Sequence, residues 1–413
     1  MNILYLCQVF ELAHDAGSDR HFFFCKYAKN KGYNVTAITS NVDYKNACVK
    51  FEGKKATVSR TIDGVDIHYV YSFADFRGSF LKRFYYYITY FFSSIKQSFK
   101  VKDVDAIYAV STPLSVGLLG YVISRMRRVP FVFEVTDVWP DAPIACGVVK
   151  NRVLIKLAKW LEIFCYNKAI HIVGLTHGIC QNIIQKGVSP NKITEITNGV
   201  DFSLFHGHEN DKVKKQFRDK LVLDQKFVAM YMGAHGAYNA LHTIIDAAIL
   251  LRNDSRIVFV FIGDGDEKIK LRQRVNDLQL TNVVFHDPVP RDDSVSLLST
   301  ADVFLLPNRK GEFFIGNLPN KLFDFLAAAR PVIVAGKGET ADLVTKAGAG
   351  CVGEAENGEE MANSIVKFVN MPLQKRLDIG QKGRDYVMQN FNRITLSEKF
   401  LQVISNAIQN NDR

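Results

Sequence analysis

Short apolar runs alternate along the whole chain with longer stretches whose apolar residues recur every three to four positions. The short runs read as strands and the longer ones as helices, and that alternation predicts parallel sheets. Ile3–Leu6 is apolar at every position, as a strand covered on both faces must be. A loop containing Gly17-Ser18 follows, then a helix from about Asp19 to Asn30 that Gly32 ends, then a strand at Val35–Thr39. This β-loop-α-β unit has the order of a mononucleotide-binding half without its three-glycine fingerprint. Further strands are expected at Ile67–Val70, Ala106–Val110, Phe131–Val135, Ile172–Leu175 and Ile193–Ile196.

A second series begins at Phe227–Tyr231 and continues with Ile257–Ile262, Val283–Phe285, Val303–Leu306, Pro331–Val334 and Gly350–Val352. The lysine-rich, apolar-poor stretch around Gly207–Lys215 separates the series and places a linker near residues 201–212. The chain closes with one long helical region, Leu373–Ala407, whose end is expected to return to the first domain. The fold class is therefore α/β, with two open α/β domains joined by a linker and a cleft between them. The first spans 1–205, joined by a helix of about 393–413, and the second spans 206–392. No repeat at a fixed period is present.

Composition narrows the class. At 413 residues, 47% hydrophobic and 23% charged, the chain fits a globular protein of more than one domain. It has no run of 18 apolar residues, so no membrane-spanning helix is expected, and the N-terminus reads as a strand rather than a signal peptide. The seven scattered cysteines form no C-x-x-C pair and read as free thiols in a reducing cytoplasm. A net charge of +10 favours polyanions or an anionic membrane surface. No nucleic-acid-binding signature accompanies it, so nucleic acid is not an expected partner.

The stretch 311–336 carries the strongest chemical signal. A Gly-rich loop with Gly316-Asn317-Leu318 runs into a helix at Pro319-Asn320-Lys321, with Asp324 one turn inside. Free N–H groups, the helix dipole and Lys321 suit a phosphate, and Asp324 suits ribose hydroxyls. The plainer reading is a capped helix whose Lys and Asp decorate the surface. Gly233-Ala234-His235-Gly236 follows the first strand of the second series, and Gly263-Asp264-Gly265 follows the next; either lets a ligand approach the backbone or is an ordinary turn. Glu134 to Asp141 follows Phe131–Phe133 as a loop with three acids (Glu134, Asp137, Asp141), Thr136 and Trp139; it suits a sugar, or caps the next helix. Phe80–Lys100 is crowded with aromatics, carries Lys82, Arg83, Lys96 and Lys100, and has no acid. It reads either as an interfacial membrane helix or as a helix buried between the domains. No catalytic triad and no metal-ligand spacing is present.

Taken in order, Asp137-Val138-Trp139-Pro140, Asn198-Gly199-Val200-Asp201, Gly233–Gly236, Gly263–Gly265 and Pro319–Asp324 resemble the motifs of retaining glycosyltransferase family 4, which has the GT-B fold of two facing Rossmann-like domains. The resemblance is nearest to bacterial enzymes of O-antigen, capsule and exopolysaccharide biosynthesis. It implies a nucleotide-sugar donor, UDP-linked by family habit, on the second domain. Asp324 would hold the ribose, Gly316, Asn317 and Leu318 would offer amides, and Gly233, His235, Gly236, Gly263, Asp264, Arg309 and Lys321 would line the donor site. Gly17 and Ser18 would face the diphosphate, Thr136 and Trp139 the acceptor, while Asp137, Asp141 and Lys321 would serve the reaction. The sequence departs from the family at Gly316, where relatives carry an acid, with Glu312 out of register. It also departs at Ala234 and Asn239, where many carry Arg and Lys, and at Thr136, where many carry His. The implied reaction is front-face displacement with retention, without metal or cofactor. The implied acceptor is a lipid-linked or free glycan at the inner membrane leaflet, to which the protein would bind peripherally. A nucleotide-sugar 2-epimerase and an inactive nucleotide-sugar-binding homologue are the alternatives.

Overall fold

The computed structural model describes residues 1–12, 19–44, 46–51, 57–111, 113–141, 144, 149–205, 211–221, 223–311, 316 and 318–411. The chain divides into two units, one running to Thr197 and resuming at Ile394, the other spanning Asn198–Arg393.

The first unit holds β1 (Asn2–Leu6), α1 (Arg20–Asn30), β2 (Asn34–Ser40), β3 (Val42–Asp43), β4 (Cys48–Val49), β5 (Val58–Ile62), β6 (Val65–Val70), α2 (Phe80–Ser98), β7 (Ala106–Val110) and α3 (Ser115–Arg127). It continues with β8 (Phe131–Val135), α4 (Arg152–Lys168), β9 (His171–Gly174), α5 (His177–Gln185) and β10 (Ile193–Glu195). Its main sheet runs β10-β9-β8-β7-β1-β2-β6-β5, parallel except for β5. Strands β7 and β8 are buried at every position, which is why they lack polar alternation. Strand β5 was not expected: its Ser-Arg-Thr centre is exposed, and it joins β6 through Asp63-Gly64, both at positive φ.

The second unit holds α6 (Asp211–Lys220), β11 (Phe227–Met232), α7 (His242–Leu250), β12 (Ile257–Ile262), α8 (Lys268–Asp277), β13 (Val283–His286), α9 (Arg291–Leu298) and β14 (Val303–Pro307). After these come α10 (Asn320–Ala327), β15 (Val332–Ala335), α11 (Glu339–Lys346), β16 (Gly350–Gly353), α12 (Gly358–Val369) and α13 (Leu373–Asn390). The six-stranded parallel sheet runs β13-β12-β11-β14-β15-β16. Its order reverses between β11 and β14, and that of the first sheet between β1 and β7. Ligands of such sheets sit beyond the carboxyl ends of the strands at these reversals.

The expected single terminal helix is two, α13 and α14 (Arg393–Asn411). The break is held by backbone pairing: the Val200 N–H donates to the Phe391 carbonyl (2.9 Å), and the Arg393 N–H donates to the Val200 carbonyl (3.0 Å). Leu396, Phe400 and Ile404 of α14 then pack into the core of the first unit.

Candidate functional site

In the second unit two glycine turns interlock where β11 and β12 end. The His235 N–H donates to the Asp264 carbonyl (2.8 Å), and the His235 carbonyl accepts from the Glu267 N–H (2.9 Å). Only glycine fits here: a Cβ on Gly263 would lie 2.0 Å from the Gly233 carbonyl oxygen, and one on Gly265 would lie 2.6 Å from that of His235. Lys268 fastens the pair from the side, donating through Nζ to the Gly263 carbonyl (2.8 Å) and to Asp287 (2.7 Å).

The His235 ring is not offered to a ligand as a side chain on the turn would be. It is fully buried among Tyr231, Phe261 and Phe285, and neither ring nitrogen has a partner among the described residues. Burial first, and the nearby Lys268 second, push its pKa down to about 4, so the ring is neutral at physiological pH. What His235 presents toward a ligand is backbone. Gly236 opens the short turn that leads to Asn239, and Asp264, exposed, accepts from the Gly265 N–H (2.9 Å).

The other side of the reversal comes from β14 and α10. Leu322, Phe323, Phe325 and Leu326 bury one face of α10, with Phe325 stacked on Phe304 at 4.1 Å. That spacing leaves Lys321 and Asp324 half-buried on another face. Pro319 stands at the cap position of the helix and provides no side-chain cap for its first N–H groups. Leu318 is buried, Gly316 is half-buried and Arg309 is exposed.

Lys321 reaches across the reversal. Its Nζ donates to Tyr231 Oη and to Asn239 Oδ1 (3.0 Å), and it stands 4.4 Å from the Tyr231 ring centroid. A Cβ on Gly233 would lie 3.0 Å from that nitrogen, so the glycine leaves the amine its room. Tyr231 Oη and Asn239 Nδ2 both donate to the Ala234 carbonyl, at 2.7 and 2.8 Å. Every partner of the amine is thus neutral. Among the described residues no carboxylate forms an ion pair with it, and burial pushes its pKa down to about 7. An anion entering here would meet a cation without an ion-pair partner among the described residues, a helix N-terminus and a turn without side-chain bulk.

The first unit treats its charges differently. Glu134 is not on a loop, as expected, but is the fourth residue of β8 and fully buried. It is ion-paired with Arg20, accepts from Tyr108 Oη (2.6 Å), and Arg20 also donates to the Ile196 carbonyl (2.6 Å). A carboxylate placed in a core strand needs such a partner, and Arg20 supplies it from the start of α1. Beyond β8, the Thr136 N–H donates to Ser111 Oγ (3.1 Å), Asp137 is exposed and Trp139 packs half-buried against the core. Asp141 is held by Lys186 Nζ (2.7 Å), which also donates to the buried Glu162 (2.6 Å). Asp137 and Asp141 therefore stand in different settings, the second tied into a structural ion pair.

Gly17, Ser18, Glu312 and Asn317 lie outside the described residues. Among the described residues no group of three or more His, Cys, Asp or Glu is placed to hold a metal. Tyr231 and Asn239 were missing from the sequence-based donor site; Tyr231 sits in an apolar strand, where its hydroxyl gave no signal.

Comparison with known proteins fits this arrangement. Residues 22–204 match Glycosyltransferase Family 4 and residues 213–386 match Glycosyl transferases group 1, which together span most of the chain. The Escherichia coli K12 protein named for colanic acid biosynthesis, the glycosyl transferase WcaI, is 24% identical over 68% of this chain and 69% of its own. The Campylobacter jejuni N,N'-diacetylbacillosaminyl-diphospho-undecaprenol alpha-1,3-N-acetylgalactosaminyltransferase is 18% identical over 75% of this chain and 80% of its own. The crystal structure of Anabaena HepE in complex with UDP-glucose superposes with a TM-score of 0.72 at 17% identity, covering 98% of this chain and all of that one. The chain belongs to the family 4 glycosyltransferases of GT-B fold.

Proposed function

We propose that this glycosyltransferase moves a sugar, with retention at the anomeric carbon, from a UDP-linked donor bound to the second unit onto a lipid-linked glycan in bacterial surface polysaccharide synthesis. The observation that carries the reading is Lys321, a half-buried amine with only neutral partners at the strand-order reversal of the second sheet. The donor diphosphate supplies the missing negative charge, and Asp324, one turn along the same helix, accepts from the ribose hydroxyls. The backbone around Gly233, Gly316 and Leu318 approaches the diphosphate and sugar.

The reaction then proceeds by positioning and charge stabilisation. The bond from the anomeric carbon to the β-phosphate oxygen breaks, and the bond to the acceptor oxygen forms on the same face. The acceptor proton passes to the departing diphosphate, whose growing charge Lys321 neutralises. Thr136, Asp137 and Trp139 orient the acceptor, and α2, which carries exposed aromatic and basic side chains, rests on the membrane. Two relatives support the donor and acceptor classes: HepE was solved with UDP-glucose, and the Campylobacter enzyme is named for an undecaprenol-diphosphate-linked acceptor.

A screen of nucleotide-sugars for thermal stabilisation tests the donor class, since bound donor raises stability with its concentration. UDP-sugars are expected to stabilise, and Asp324→Ala to weaken UDP binding at least tenfold, about 1.4 kcal/mol. Unchanged UDP affinity in a folded Asp324→Ala protein would remove the ribose assignment. Failure of every nucleotide-sugar to stabilise the wild type would remove the donor reading.

A further inference from the structure

One face of the first unit's sheet is covered by α2, α3 and α4, which pack side by side on a shared core. The outward surface of α4 is not that of an ordinary solvated helix. Val153 (73%), Leu157 (58%) and Trp160 (60%) are exposed at positions i, i+4 and i+7, which makes a single apolar ridge. Trp160 stacks on Phe164 at 5.4 Å, and Phe164 meets Tyr121 of α3 at 5.0 Å, so the ridge is anchored to its neighbour. A second ridge runs along α2, where Leu81 (74%) and Phe92 (63%) are exposed.

Charge identifies what covers this face. Neither α2 nor α3 contains an acidic residue, and the one acid of α4, Glu162, is buried and held by Lys186. Exposed cations flank both ridges: Arg83 and Lys96 on α2, with Lys82 paired to Asp75, and Arg152, Lys156 and Lys159 on α4. A second copy of this chain would bring the same positive charge against itself. A bilayer of anionic lipid matches both features, with phosphates for the cations and the acyl boundary for the ridges.

We propose that this three-helix face is a peripheral docking surface for anionic lipid, with Leu157 and Trp160 of α4 as its inserted ridge. The proposal extends the membrane part of the reading above from α2 to α4 and is independent of the donor chemistry. Flotation of the full-length protein with phosphatidylcholine vesicles, with and without phosphatidylglycerol, tests it. Wild type is expected to bind only the anionic vesicles, and Leu157→Glu/Trp160→Glu to bind them at least tenfold less while still binding UDP. The chain has two tryptophans, so in Trp139→Phe the remaining indole reports on Trp160, and its emission is expected to shift to the blue with anionic vesicles. Partitioning of the double variant equal to wild type would overturn the proposal. If neutralising Lys82, Arg83, Lys96 and Lys100 abolished binding while the α4 double variant kept it, α2 alone would be the membrane element and the α4 ridge would fall. If the double variant changed only the oligomeric state, the face would be a self-interface and the lipid assignment would be wrong.

Discussion

Arg20 and Lys321 occupy comparable places in two sheets of similar strand order, each beside a reversal, yet their surroundings differ in kind. Arg20 is fully enclosed and meets the carboxylate of Glu134, which also takes the Tyr108 hydroxyl. Lys321 meets a phenol and an amide. A buried cation with a matched anion belongs to the fold, because removing either member strands the other in a medium that solvates it poorly. A cation with only neutral hydrogen-bond partners is poised for an anion from outside. The difference separates a stability device from a binding device without reference to any ligand.

Three substitutions and one control probe that contrast. Glu134→Gln leaves Arg20 buried without its counter-charge and is expected to cost about 3–5 kcal/mol in urea unfolding. A loss below ~1 kcal/mol would mean that Arg20 does not depend on this partner. Gly263→Ala drives a methyl group against the Gly233 carbonyl at positive φ, and about 3 kcal/mol is expected from the same measurement. Gly187→Ala is its control: φ is also positive but nothing lies within 4 Å, so about 1 kcal/mol is expected. Equal costs would mean that the glycine turns are not interlocked. Lys321→Met has the smallest expected effect on stability and the clearest effect on binding, with UDP-sugar affinity reduced at least tenfold, about 1.4 kcal/mol.

Much of the fold was legible because parallel strands covered on both faces need continuous apolar runs, and β7, β8 and β12 have them. Strand β5 escaped because an exposed edge needs no such run, although Asp63-Gly64 carried the hairpin signal. The break between α13 and α14 escaped because it contains neither Gly nor Pro; it depends on Val200, far away in sequence. The site divides in the same way. Lys321, Asp324 and the glycine turns were visible as residue types beside a predicted helix or strand end. That Glu134 is a core residue depends on Arg20, and that Lys321 lacks a counter-charge depends on Tyr231 and Asn239; pairings across about a hundred residues leave no local pattern. The Asp141–Lys186 pair left no local signal either, because Lys186 stands on the far side of α4 and β9 in the sequence.

The central claim is that the uncompensated amine of Lys321 receives the donor diphosphate, and linkage between proton and ligand tests it most directly. Burial holds the free amine near pKa 7, below its ordinary 10.5, and a bound diphosphate favours the charged form and raises it. Below pH 7 the amine is already protonated, so binding takes up no proton there. Above pH 7 binding must take one up, and affinity must fall with rising pH. Calorimetric titration with a UDP-sugar at pH 8, repeated in buffers of different ionisation enthalpy, measures that proton. The account predicts uptake approaching one proton per donor bound in the wild type and none at this site in Lys321→Met. Tight donor binding with no proton uptake at pH 8, or the same uptake in both proteins, would contradict it.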